Sequence, residues 1–96
     1  MSTNELLIEK RDQILQLAEK HCARNVRVFG SVARGESRSK SDIDFLVDME
    51  PGRSILDLGG LLVDLQRLLE VEVDVVTEKG LRPRIRERVL RESVTL

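Results

Sequence analysis

Apolar and polar positions along the chain change period several times, and each change marks an element. Leu7, Ile14, Leu17, Ala18 and Cys22 recur close to helical spacing. They predict a helix that opens at the cap candidates Ser2, Thr3 and Asn4 and runs to about Cys22. From Asn25 to Phe29 the period drops to two, with Val26, Val28 and, by extension, Gly30 on one side of a short strand. Gly30-Ser31 then opens a turn or a single helical turn, Gly35 ends it, and residues 36–41 form a polar loop. Ile43 to Val47 is a second strand, and Pro51-Gly52 is a turn. Leu58, Leu61, Leu62, Leu65 and Leu69 follow the i, i+3, i+4, i+7 rule of a helix capped by Ser54, with Asp57 in its first turn. Gly59 and Gly60 each weaken that helix by roughly 1 kcal/mol against Ala, and close packing on the sheet is the expected reason. Val71 to Val76 is a third strand. About Leu81 to Arg91 is a last helix, with Pro83 tolerated in its first turn. The order α-β-α-β-α-β-α predicts an α/β (α+β) fold, a small mixed β-sheet with helices packed on it. A length of 96 residues predicts a single domain, 1–96.

Composition narrows the function. Hydrophobic residues at 41% and charged residues at 34% read as soluble and globular. Phe29 and Phe45 are the only aromatics, which argues against base stacking as a main binding mode. A net charge of -1 lacks the basic footprint of a general nucleic-acid binder, so nucleic acid is not the expected partner. The charge is uneven, however. Residues 23–41 carry Arg24, Arg27, Arg34, Arg38 and Lys40 against Glu36 alone, whereas residues 42–78 carry ten acids against Arg53 and Arg67. A basic loop abutting an acidic segment suits an anionic ligand bridged by cations; solvated faces are the plainer reading. Cys22 is the only cysteine, which excludes an internal disulfide and fits a reducing cytoplasm. No apolar run approaches the ~18 residues of a membrane span, and no cleavable leader pattern opens the chain, so a cytoplasmic protein without membrane contact is expected.

The chemistry concentrates in Gly30 to Asp44, GSVARGESRSKSDID. Strand alternation points Asp42 and Asp44 the same way, about 7 Å apart at Cα, while Ile43, Phe45 and Val47 face the core. Two like charges so placed raise each other's pKa unless a cation lies between them. Hard oxygen donors at this spacing suit Mg²⁺ shared with a nucleotide's phosphates, and paired ions about 3.5–4 Å apart can hold attacking and leaving oxygens. A third acid is expected from a neighbouring strand, and VEVDVV offers Glu72 and Asp74 on one face; periodicity does not choose between them. Each part alone is unspecific. D-x-D occurs on many exposed strands and in nucleotide-sugar transferases. Gly30-Ser31 alone reads as a turn former and an N-cap. Read together, Gly30 lets the backbone approach a phosphate, and Ser31 adds a hydroxyl beside free N–H groups.

G-S, ten residues, D-x-D and a later strand acid resemble the signature of the polymerase-β-like nucleotidyltransferase superfamily, and most closely its smallest branch, the minimal nucleotidyltransferases (MNT). GSVARGESRSKSDIDFLV is similar to that branch's core block and VEVDVV to its third-carboxylate strand, so the resemblance runs from Val26 to about Val89. It implies a palm-like fold and transfer of a nucleoside monophosphate from an NTP to a hydroxyl, releasing pyrophosphate. It implies that Asp42 and Asp44 bind two Mg²⁺ ions, that Asp74 rather than Glu72 completes the catalytic set, and that Gly30 and Ser31 hold the β and γ phosphates. Arg34 is a further phosphate candidate; a solvated loop arginine is its plain alternative. Members of the branch act as antitoxins beside a HEPN-domain ribonuclease toxin, some by moving AMP from ATP to a toxin tyrosine. The resemblance therefore implies a toxin partner, ATP as substrate and a hetero-oligomer. The alternative is a non-catalytic antitoxin that neutralises its partner by contact.

Other residues read as structural. His21 is expected to pack or cap near the end of the first helix, and Cys22 to fill the core as a small hydrophobe. Asp48 shares the face of Asp42 and Asp44 but is expected to meet solvent. Arg82, Arg84, Arg86, Arg88 and Arg91 are spread around the last helix; a solvated helix is the default and a docking surface for an acidic partner the sharper reading. No G-x-x-x-x-G-K-[ST] is present, which excludes a P-loop, and no Cys/His cluster points to zinc.

Overall fold

The computed structural model describes residues 3–30 and 43–96. Its elements are helix α1 (Thr3–Lys20), strand β1 (Ala23–Phe29), strand β2 (Ile43–Met49), helix α2 (Ile55–Leu69), strand β3 (Val73–Thr77), a 3₁₀ turn (Glu78–Gly80), helix α3 (Pro83–Glu92) and strand β4 (Val94–Thr95). The strands form one mixed sheet in the order β3-β2-β1-β4. β2 runs parallel to β3, which requires the α2 crossover between them, while β1 runs antiparallel to both β2 and β4. The expected helical turn after Gly30 and the polar loop lie outside the described residues.

The core forms on one face of the sheet. Leu7, Ile14 and Ala18 of α1 and Leu61, Leu65 and Leu69 of α2 cluster with Val26, Val28, Ile43, Phe45, Val47, Val73 and Val75. Phe45, Ile14, Ile43, Leu61 and Leu65 are among the largest fully buried side chains, and each such burial contributes roughly 1.5–3 kcal/mol. α2 begins as its sequence asks. Leu56 N donates to Ser54 Oγ at 3.2 Å, and Ser54 N donates to Asp57 Oδ2 at 2.9 Å, closing a capping box. α3 starts with Pro83, whose missing N–H is one of the helix's unpaired donors anyway. α3 also joins the two edge strands, β3 and β4. Leu46 and Val89 are buried outside the main cluster.

Several expectations need correction. β1 starts at Ala23 rather than Asn25, because a bulge between Arg24 and Arg27 places Asn25 at φ 53 and interrupts the alternation. Cys22 is not a core residue. It is half-buried, sits at φ 61 where α1 ends, and its carbonyl accepts from Glu50 N at 3.0 Å. β4, which sequence periodicity did not predict, closes the β1 edge, with Leu96 N donating to Val26 O at 3.0 Å.

The two α2 glycines do not share one reason, and neither is held by the sheet. A Cβ on Gly60 would lie 2.9 Å from His21 Cε1, whereas one on Gly59 would meet nothing within 4 Å. Gly59→Ala is therefore expected to raise stability by about 1 kcal/mol through helix propensity alone. Gly60→Ala should lose that gain and lower stability by about 1 kcal/mol, because the ring it meets is fixed. Equal Tm shifts for the two variants would refute this difference.

His21 is fixed by Asp64. Its Nε2–H donates to Asp64 Oδ2 at 2.7 Å, and Lys20 Nζ lies 3.5 Å from the same oxygen. The His21 hydrogen bond, opposed by desolvation and helped by Lys20, holds the Asp64 carboxyl below its ordinary 3.8. A carboxyl lowered on folding stabilises the native state above its unfolded pKa, and that contribution is lost as pH falls through the native value. Asp64→Asn should therefore melt earlier than the parent near neutrality and show a shallower loss of Tm below about pH 4. Parallel melting curves down to strong acid would remove this pair from the account.

Candidate active site

Parallel pairing sets Asp44 beside Asp74 and Ile43 beside Val73. Alternation sends Ile43, Phe45, Val73 and Val75 into the core, so both aspartates emerge on the opposite face, on strands about 4.8 Å apart. Asp44 is half-buried and Asp74 exposed. Glu72, the other acid that periodicity left open, precedes β3 and is exposed; its backbone carbonyl accepts from Ile43 N at 3.0 Å. Register thus makes Asp74 the residue level with Asp44.

The antiparallel partner adds a third component. Phe29 lies opposite Asp44, and the next residue, Gly30, turns away at φ +74. A Cβ on Gly30 would lie 2.5 Å from Asp44 Oδ2. Only a glycine can bring the backbone this close to the carboxylate in this conformation. The strand extension that puts Gly30 on the core side with Val26 and Val28 is corrected: the positive φ carries it to the carboxylate side. The structure therefore brings Gly30, Asp44 and Asp74 together, while Ser31, Arg34 and Asp42 lie outside the described residues. Among the described residues no group of three or more acidic, His or Cys side chains converges.

A second polar group on this face departs from expectation. Asp48 does not face solvent alone. Arg27 Nη2 donates to Asp48 Oδ1 at 2.9 Å and Asn25 Nδ2 to Asp48 Oδ2 at 3.0 Å. The Arg27 side chain is only 12% exposed. An arginine between Val26 and Val28, on the polar side of a short strand, was the sequence signal for it. The bulge at Asn25 allows the amide to reach the same carboxylate. Of the last helix's arginines, Arg86 pairs with Glu78, and Arg88 Nε meets Glu92 Oε1 at 3.3 Å.

A cleft of about 800 Å³ opens elsewhere. It lies at the C-terminal ends of β2 and β3, whereas Asp44 and Asp74 stand near their beginnings.

Residues 8–96 match the family model described as a nucleotidyltransferase domain. The chain belongs to the nucleotidyltransferase domain family. This nucleotidyltransferase is 39% identical over 94 residues to the protein adenylyltransferase MntA of Thermococcus cleftensis, covering 93% of this chain and 95% of that protein. A solved structure of a candidate minimal nucleotidyltransferase superposes with a TM-score of 0.85 at 53% identity, over 96% of this chain and 94% of the other. A toxin–antitoxin crystal structure with AMP-PNP shares the nucleotidyltransferase fold, with a TM-score of 0.74 at 21% identity over 88% of this chain and 69% of the other. The mixed sheet and its helices are thus those of the family, and the protein is a nucleotidyltransferase enzyme.

Proposed function

We propose that this nucleotidyltransferase, a single domain over residues 1–96, is a Mg²⁺-dependent protein adenylyltransferase of the cytoplasm. It moves AMP from ATP to a tyrosine hydroxyl of a HEPN-domain toxin and so acts as an antitoxin. The observation that carries this reading is Asp44 level with Asp74, with Gly30 pressed against the Asp44 carboxylate. The MntA name of its relative and the toxin–antitoxin neighbour with AMP-PNP support the substrate and partner classes.

The donor set fits the cation. Two carboxylates on adjacent strands offer hard oxygens to one small volume, and Asp42 by the resemblance adds a third. Mg²⁺, when bound, neutralises the triphosphate and makes the acceptor hydroxyl easier to deprotonate. The chain's own residues do the rest. Asp74, exposed beside Asp44, takes part in orienting and deprotonating the acceptor hydroxyl. Gly30 keeps the backbone close to the Asp44 carboxylate, where it would meet a phosphate, and Ser31 and Arg34 would continue that contact. The hydroxyl oxygen then bonds to the α-phosphorus, the bond to the bridging oxygen breaks, and pyrophosphate leaves. Positioning and charge placement account for most of the rate.

Incubation with labelled ATP, Mg²⁺ and the product of the gene adjacent to its own tests this. Label is expected on the partner and should vanish in Asp42→Asn and Asp44→Asn. Neutralisation by those variants equal to the parent, with no label, would establish inhibition by contact instead. Label on RNA or DNA ends would redirect the activity to nucleic acid.

A further inference from the structure

The cleft at the far ends of β2 and β3 takes no part in the proposed reaction, yet its surface is unusual. Its apolar lining includes Val47, Met49, Leu58 and Val75. α2 opens at its rim, where the adjacent Ile55 and Leu56 are each 82% exposed, above every other large hydrophobic among the described residues. The first turn of a helix ordinarily presents polar residues to water, so two adjacent exposed apolar side chains at the edge of an apolar cleft mark a contact surface. The rim charge is lopsided as well. Arg24, Arg53 and Lys79 line the cleft without an ion-pair partner among the described residues. Asp48 is occupied by Arg27 and Glu78 by Arg86, which leaves Glu50 as the one unpaired acid of the lining. An apolar floor under a surplus of cations, on a chain of net charge -1, is specific in sign.

The geometry points to this cleft as the docking surface for the acceptor protein. Its occupant is an acidic segment with interspersed apolar side chains, whose carboxylates meet Arg24, Arg53 and Lys79 while its apolar groups cover Ile55 and Leu56. This rests on the transfer reading above, since it supplies the grip on the protein that receives AMP. Val47 and Thr77 lie three residues beyond Asp44 and Asp74 on the same two strands, a distance of roughly 10 Å. Docking and chemistry thus occupy opposite ends of one pair of strands, and the grip leaves the reacting end open.

The test uses the full chain, ATP and the adjacent gene's product. Ile55→Asp/Leu56→Asp changes two exposed positions and should raise the KM for the partner about tenfold or more, as loss of an apolar anchor does. kcat at saturating partner and the affinity for ATP should stay at parent values. Arg53→Glu should act in the same direction, and its residual binding should depend less on salt than the parent's. Ile8→Asp, at a 76% exposed position on α1, serves as the control and should leave KM unchanged. An unchanged KM in the double variant, an equal effect from Ile8→Asp, or a fall in ATP affinity would each overturn the docking. Calorimetric binding of the same partner without ATP separates the two readings. A parent that binds but transfers no AMP refutes the transfer, and the variants then decide the docking by affinity alone. A parent that does not bind overturns the docking outright.

Discussion

Asp44→Asn and Asp74→Asn should each lower AMP transfer by about a thousandfold or more while the fold survives. The size follows from what is removed. Loss of a single placed electrostatic contact in an active site costs about 10²–10³ in rate, and here a full charge and a cation donor disappear together. The fold survives because Asn keeps the shape of Asp. Asp74 is exposed, and like charges directly opposite on paired strands repel. Asp74→Asn should therefore melt no earlier than the parent. A second readout does not depend on turnover. Mg²⁺ with ATP should raise the parent's Tm, increasingly with the logarithm of ligand concentration above Kd, and the rise should shrink in both variants. Transfer within tenfold of the parent, or an undiminished ligand-induced Tm shift, would remove these carboxylates from the reaction.

Much of the fold could be read from periodicity because the core lies on one face. α2 repeats Leu61, Leu65 and Leu69 inward, and β2 sends Ile43, Phe45 and Val47 the same way. What escaped was short or irregular. β4 is two residues long, too few for an alternation, and it exists because Val94 and Thr95 find Val28 and Arg27 on the neighbouring strand. The start of β1 was hidden by the bulge, since Ala23 and Val26 are both buried at a spacing of three, which breaks the alternation of a strand. Gly60 illustrates a contact between elements distant in sequence. Nothing near it in the chain indicates that His21 will fill the space above it.

The candidate site was legible to the level of a face, and no further. Alternation puts Glu72 and Asp74 together, and only the pairing of Ile43 with Val73 makes Asp74 level with Asp44. Asp48 shares the same row, but Arg27 and Asn25 engage it, so one face carries two acidic positions with different surroundings. Leu46, buried between them, separates the two. Register and diagonal reach are relations between strands, which a pattern along one strand does not contain.

Gly30→Ala should damage stability and transfer together, and Gly52→Ala is the measure against which to read it. Both glycines have positive φ, +74 and +84. An alanine in that region costs roughly 1–2 kcal/mol wherever it occurs. At Gly52 nothing lies within 4 Å of the added Cβ, so that strain is the whole effect on stability, and the transfer rate at saturating partner should be unaffected. At Gly30 the Cβ would lie 2.5 Å from Asp44 Oδ2, and either the backbone or the carboxylate must move. If the carboxylate moves, the stability loss stays near that of Gly52→Ala, and the rate falls about a hundredfold, the usual consequence of a 1 Å misplacement. If the backbone moves, Gly30 itself is displaced, the loss of stability is larger, and the affinity for ATP is expected to fall with it. Melting curves, transfer rates and ATP titrations on the two variants distinguish these routes. Equal stability and undiminished transfer in Gly30→Ala and Gly52→Ala would mean that the contact between Gly30 and Asp44 has no part in building the site.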